Sequence, residues 1–179
     1  MTTHDTPMLR ERQTALKEGY RADPTAAHQT SVAYSVTDQV DDPTRIRIAI
    51  DGPSGTVLDI GAHPAVGGEP DLPCSGDILI AALAGCFELT IRLVAAALGL
   101  SLHRLAIRVE GDWDARGTLG VDREAPIGYT AIRVIVDLET DGPQDRVDRL
   151  LKSAERYCVV GSTLKTPPVV EISATVNSD

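Results

Sequence analysis

The sequence predicts an α+β domain with the element order β-β-β-α-β-β-α-β, and three observations carry that prediction. Stretches with apolar residues at every second position occur before residue 61 and again between residues 105 and 138, which is strand periodicity. Between them lies the most apolar run of the chain, SGDILIAALAGCFELTIRLVAAALGL, far too long for a strand. Beyond them, QDRVDRLLKSAERYC sets Val147, Leu150, Leu151, Ala154 and Cys158 at i, i+3, i+4, i+7 and i+11, one face of a helix.

Residues 1–30 are polar, with a weak helical pattern over Met8–Tyr20 that Pro24 ends; they read as an arm ahead of a single domain spanning 31–179. Val32, Tyr34 and Val36 then share one strand face, Ile46, Ile48 and Ile50 another, and Thr56–Ile60 adds a short third strand. Asp42-Pro43 and Asp51-Gly52-Pro53 supply turn chemistry between them, as in an antiparallel meander. The stretch from Gly61 to Gly76 is rich in glycine and proline and reads as a loop. Ser75 or Asp77 is placed to cap the helix that follows.

That helix is apolar on nearly every side, the pattern of a buried central helix. It also has the length of a membrane span. Glu88 and Arg92, four apart on one face, favour a buried helix, because a bilayer penalises such a pair. Gly99 ends it. Leu105, Ile107 and Val109 mark the next strand, and Ile132, Val134, Val136 and Leu138 another. Asp141-Gly142-Pro143 opens the second helix, and Val170, Ile172, Ala174 and Val176 alternate as a closing strand.

Composition narrows the function. The 179 residues suffice for one hydrophobic core, but aromatics make up only 3 %, so aliphatic side chains must fill it. A net charge of −9 argues against nucleic acid or an anionic membrane as partner, since phosphate recognition needs clustered cations. The N-terminal stretch has no apolar signal-like segment, and three cysteines without one point to a reducing cytoplasm. The four histidines lie far apart with no metal-ligand spacing. Gly67-Gly68 lacks the Lys and Ser/Thr of a phosphate loop, so no nucleotide is implied.

Chemistry is expected at the cysteines. Cys86 and Cys158 lie on separate predicted helices, 72 positions apart, an arrangement suited to a redox dithiol. Either is also readable as a small core hydrophobe, because free cysteine is often buried. Cys74 sits in the Gly/Pro loop as an additional free thiol.

Four segments resemble the OsmC-like family, which includes the organic hydroperoxide resistance proteins. PAVGGEPDLPCSGD with ILIAALAGCF resembles the family's glycine loop and first-cysteine helix, and RGTLGVDREAPIGYTAIRVIV its middle hairpin. AERYCVVGSTLKTPPVVEI resembles the second-cysteine segment, and MLRERQTALKEGYRADPTAA an N-terminal extension of some members. The resemblance implies an intertwined homodimer in which Cys86 reduces an organic hydroperoxide and becomes a sulfenic acid. Cys158 then closes a disulfide, which an external dithiol, often lipoyl-linked, reduces; no metal or prosthetic group takes part. It implies a carboxylate before the first cysteine, for which Asp77 is nine residues ahead, and an arginine from the N-terminal sheet, where Arg21, Arg45 and Arg47 are available.

Nine helical residues turn about 900° and rise about 13.5 Å, so Asp77 and Cys86 face opposite ways on one helix. If both serve one site, two helices must meet there, which accords with a dimer. The expected activity is an antioxidant thiol peroxidase of the oxidative stress response, and the apolar helix suggests alkyl or fatty-acid hydroperoxides. The rival reading is an OsmC-like dimeric small-molecule binding protein with little peroxidase activity.

Overall fold

The computed structural model describes residues 6–177 and has the α+β class that the sequence predicts. Its contacts group into two compact units. One comprises the chain up to Ala81 together with Val109–Arg133; the other comprises Ala82–Arg108 and the chain from Val134 onward.

The first unit begins with helix α1 (Thr6–Ala22), the expected arm helix. Pro24 cannot donate the next helical hydrogen bond, and Asp23 instead caps a short 3-10 turn by accepting the Thr25 N–H at 3.0 Å. Strands β1 (Ala33–Ser35), β2 (Arg45–Ile50) and β3 (Val57–Gly61) form an antiparallel sheet in that order. The register pairs Tyr34 with Ala49 and Arg47 with Asp59, turning the predicted meander into a defined ladder. Asp42 stabilises the first turn by accepting the Thr44 N–H at 2.8 Å. Past β3, Gly68 passes so close to Ala62 that an added Cβ would lie 1.8 Å from the Ala62 carbonyl oxygen. Only glycine fits there, which explains part of the glycine content of this loop.

The first long helix, α2 (Ser75–Leu98), crosses from the first unit to the second at Ala81/Ala82. Strand β4 (Leu102–Asp112), a short helix α3 (Ala115–Thr118) and strand β5 (Ala131–Thr140) follow. Half-buried and exposed residues alternate along all of β5, with Val134, Val136 and Leu138 on the inner side. Helices α4 (Gln144–Tyr157) and α5 (Val159–Lys165) complete the second unit. Its core joins Ile91 and Ala95 of α2, Leu100, and Leu150 and Ala154 of α4, with Phe87, Ile107 and Val136 packed around them. On the helical face read from the sequence, Leu150, Ala154 and Cys158 are fully buried and Val147 and Leu151 half-buried.

Gly99 ends α2 in the left-handed conformation (φ 67°). Its N–H donates to Ala96 O at 3.2 Å and that of Leu100 to Ala95 O at 2.9 Å, the paired bonds of a Schellman motif. Arg146 also donates to the Leu98 carbonyl, tying α4 to the end of α2.

Three details depart from expectation. The N-cap of α2 is Cys74 and not Ser75, with Asp77 completing the cap from inside the helix, as described below. Helix α2 is not buried on every side: it meets the length and composition of a membrane span, yet Leu79 and Leu89 lie exposed at 38 % and 59 %. One chain supplies too little apolar surface to cover every face of so apolar a helix. Residues 167–177 form no strand, although their alternation is as expected. A strand exists only where another backbone completes its hydrogen bonds, and no pairing partner is found for this segment among the described residues.

Candidate active site

Cys86 and Cys158 meet within the second unit. Cys86 lies midway along α2 and is half-buried, whereas Cys158 is fully buried. The sequence places Cys158 at the end of a single helix, but the chain breaks there. Cys158 takes an extended conformation (φ −70°, ψ 107°) and serves as both the C-cap of α4 and the N-cap of α5.

This double cap determines the surroundings of both sulfurs. A helix leaves its first amide N–H groups without intrahelical partners. Cys158 Sγ accepts one of them, from Gly161, at 3.3 Å. The N–H groups of Val159 and Val160, at the same helix start, act on the sulfur of Cys86 and favour its charged form. The Cys158 thiol and the Thr90 hydroxyl, one helical turn further along α2, also favour the charged form of the Cys86 sulfur. In the structure that hydroxyl donates to the Cys86 carbonyl oxygen at 2.7 Å.

The two thiols are driven apart electrostatically. Burial pushes Cys86 towards the neutral form, but the bonds from Val160, Cys158, Val159 and Thr90 outweigh it, and its pKa falls below the ordinary cysteine value. Cys158 moves the other way. Burial raises it, the Gly161 amide offsets part of this, and the neighbouring Cys86 raises it further. The pair therefore deprotonates at Cys86 first, with Cys158 as a thiol donating to it. A thiolate is the nucleophilic form of cysteine, so the arrangement provides an attacking sulfur with a second sulfur in contact.

Asp77 belongs to the first unit, at the start of α2. Cys74 N–H donates to Asp77 Oδ2 at 3.0 Å, and Asp77 N–H donates to Cys74 Sγ at 3.4 Å. This is a reciprocal capping box at the start of α2, with cysteine in the place usually held by Ser or Thr. Cys74 also lines a cavity of about 290 Å³ together with His63, Trp113 and Tyr129. The sheet arginines are held by carboxylates: Arg45 Nη2 donates to Asp71 at 2.7 Å and Arg47 Nε to Asp59 at 3.1 Å. Glu88 and Arg92 form the expected pair on α2, with Nε to Oε1 at 2.9 Å. Among the described residues, no group of three or more His, Cys, Asp or Glu side chains is arranged to hold a metal ion.

Sequence reading did not identify Thr90 or the amides of Val159 and Val160. A threonine four residues after Cys86 was a visible signal, since i and i+4 share a helix face. The amides carry no side-chain signature.

A family model for OsmC-like proteins matches residues 68–173, more than half of the chain. The OsmC-like protein of Mycoplasma pneumoniae superposes with a TM-score of 0.61 at 16 % identity, covering 78 % of this chain and 89 % of that one. An OsmC-like protein of unknown function from Vibrio cholerae gives 0.62 at 13 % identity, covering 78 % and 96 %. An organic hydroperoxide resistance protein from Legionella pneumophila gives 0.56 at 20 % identity, covering 78 % and 92 %. At these identities the likeness establishes the shared fold. No curated protein matches at a significant level.

Proposed function

Because this chain belongs to the OsmC-like protein family, we propose that it is a two-cysteine thiol peroxidase acting on organic hydroperoxides. The observation that carries this reading is the hydrogen-bonded pair of Cys86 and Cys158, with the pKa of one thiol lowered and that of the other raised. The name of the Legionella pneumophila relative, an organic hydroperoxide resistance protein, adds support.

In the proposed cycle the Cys86 thiolate attacks the outer oxygen of the hydroperoxide. A sulfur–oxygen bond forms, the oxygen–oxygen bond breaks, and the departing alkoxide leaves as an alcohol with the Cys158 thiol proton. Cys158, now a thiolate, attacks the Cys86 sulfenic acid. The disulfide forms, and the displaced hydroxide takes a proton from solvent. An external dithiol, of lipoyl type in our reading, is oxidised as it returns both cysteines to thiols. No metal or prosthetic group is needed for these steps. In this reading the protein works in a reducing cytoplasm, where both cysteines are returned to thiols. A homodimer accounts for the exposed Leu89 and for the alternating segment whose Val170, Ile172 and Val176 are each at least 80 % exposed.

The test is turnover of cumene hydroperoxide with dihydrolipoamide as reductant, comparing wild type with Cys86→Ser and Cys158→Ser. The expected result is loss of turnover in Cys86→Ser and a trappable sulfenic acid in Cys158→Ser. A wild type no faster than Cys86→Ser would favour the second reading, a dimeric binding protein. Engagement of Arg45 and Arg47 by carboxylates is the observation on that side, because a peroxidatic site of the family pattern needs a sheet arginine at the thiolate.

A further inference from the structure

Thr90 is the one buried polar side chain among the described residues. It sits in the otherwise apolar interior of the second unit, beside Ile91 and one helical turn beyond Cys86. Its hydroxyl has one proton to give and two acceptors in reach. One is the Cys86 carbonyl oxygen, to which it donates at 2.7 Å, and the other is the Cys86 side chain, four residues back on the same helix face, whose thiolate form the hydroxyl favours. The carbonyl already lies in the helical ladder, so its bond to Thr90 is dispensable for the helix. A thiolate in a half-buried site has a stronger demand for a donor.

We propose that Thr90 is a positioning residue for Cys86: its hydroxyl rests on the Cys86 carbonyl while the sulfur is protonated and turns to donate to the sulfur when the proton leaves. The same proton thereby satisfies the neutral state and the charged state in turn, without an unpaired buried hydroxyl in either. This inference rests on Cys86 being the reacting thiol. The titratable group facing that sulfur from the α4–α5 junction is Cys158, beside the amides of Val159 and Val160. On α2 itself, Glu88 and Arg92 lie about 200° and 240° round the helix from Cys86 and pair with each other.

The experiment is the pH dependence of Cys86 alkylation by iodoacetamide in the full-length protein, followed on the Cys86 peptide by mass spectrometry. Thr90→Val keeps the shape and removes the hydroxyl. It is expected to raise the Cys86 midpoint by about one pH unit, which slows alkylation about tenfold below the midpoint. Thr90→Ser keeps the hydroxyl and is expected to restore the wild-type midpoint. Thr90→Ala is expected to follow Thr90→Val, so that the Ala/Ser pair decides the matter if the Val variant does not fold.

An unchanged midpoint in the hydroxyl-free variants would overturn the proposal, as would a Thr90→Ser shift equal to theirs, which would assign the effect to the methyl group. Cumene hydroperoxide turnover in wild type separates the two levels. A Thr90-dependent midpoint without turnover would refute the peroxidase reading and leave the hydroxyl relay standing. Turnover with a midpoint indifferent to Thr90 would do the reverse.

Discussion

Replacing Cys158 by Ala and by Ser should separate its role as a second thiol from its role as a helix cap. Both variants lack the sulfur needed for a disulfide. Cys158 donates its S–H to the Cys86 sulfur and accepts the Gly161 N–H at the start of α5. A hydrogen bond to a charged group is worth about 1.5–3 kcal/mol, and about 1.4 kcal/mol corresponds to one pKa unit. Loss of the donor alone should therefore raise the Cys86 midpoint by about one to two units. Loss of the cap costs the α5 terminus about 1 kcal/mol and loosens the amides of Val159 and Val160, which also serve Cys86. Both effects act in the same direction in Cys158→Ala. A raised midpoint means less thiolate at neutral pH, so alkylation of Cys86 there should slow by about tenfold to a hundredfold. Serine can both donate and accept, and it is a preferred N-cap, so Cys158→Ser should keep Cys86 near its wild-type midpoint. The assay is the alkylation rate of the Cys86 peptide against pH in each variant. If Ala and Ser both leave the midpoint where wild type has it, Cys158 neither donates to Cys86 nor positions the amides, and the electrostatic account of the pair is wrong.

In the wild type, Cys86 should be alkylated at a lower pH than Cys158, since burial and the Cys86 charge hold Cys158 neutral; equal profiles in a differential labelling experiment would contradict this. Leu150→Ala empties a fully buried position of the second unit and should cost about 2–5 kcal/mol in urea unfolding, whereas a loss under about 1 kcal/mol would place Leu150 outside the core. Deleting the chain from Pro167 onward should convert the proposed dimer into monomer by sedimentation, and an unchanged mass would remove this segment from the proposed subunit contact.

The chain's local order was legible because it depends on patterns the sequence carries. Alternation marked β2 and β5, and the i, i+3, i+4 spacing placed Leu150, Ala154 and Cys158 on the buried face of α4. Gly99 marked the end of α2 because a left-handed C-terminal turn favours glycine. The two cysteines carry a dithiol signal because each sits in a sequence context that resembles the family's.

Other features were settled by tertiary structure. Capping is one: Cys74 outcompetes Ser75 at α2 because its sulfur lies where the Asp77 amide points, a matter of backbone direction. The break at Cys158 is another, since the amphipathic pattern of α4 runs up to that residue while its dihedral angles begin a new helix. Segment 167–177 shows the converse, a strand pattern whose hydrogen bonds need a second backbone. The donors around Cys86 were the least legible of all. Besides the Cys158 thiol, two are backbone amides, which every residue but proline possesses, and one is a hydroxyl whose value depends on the sulfur one turn away. Sequence determined which face of α4 would be buried, because burial follows from polarity and spacing. The tertiary structure decided how the thiolate is held, because hydrogen bonds depend on where atoms point.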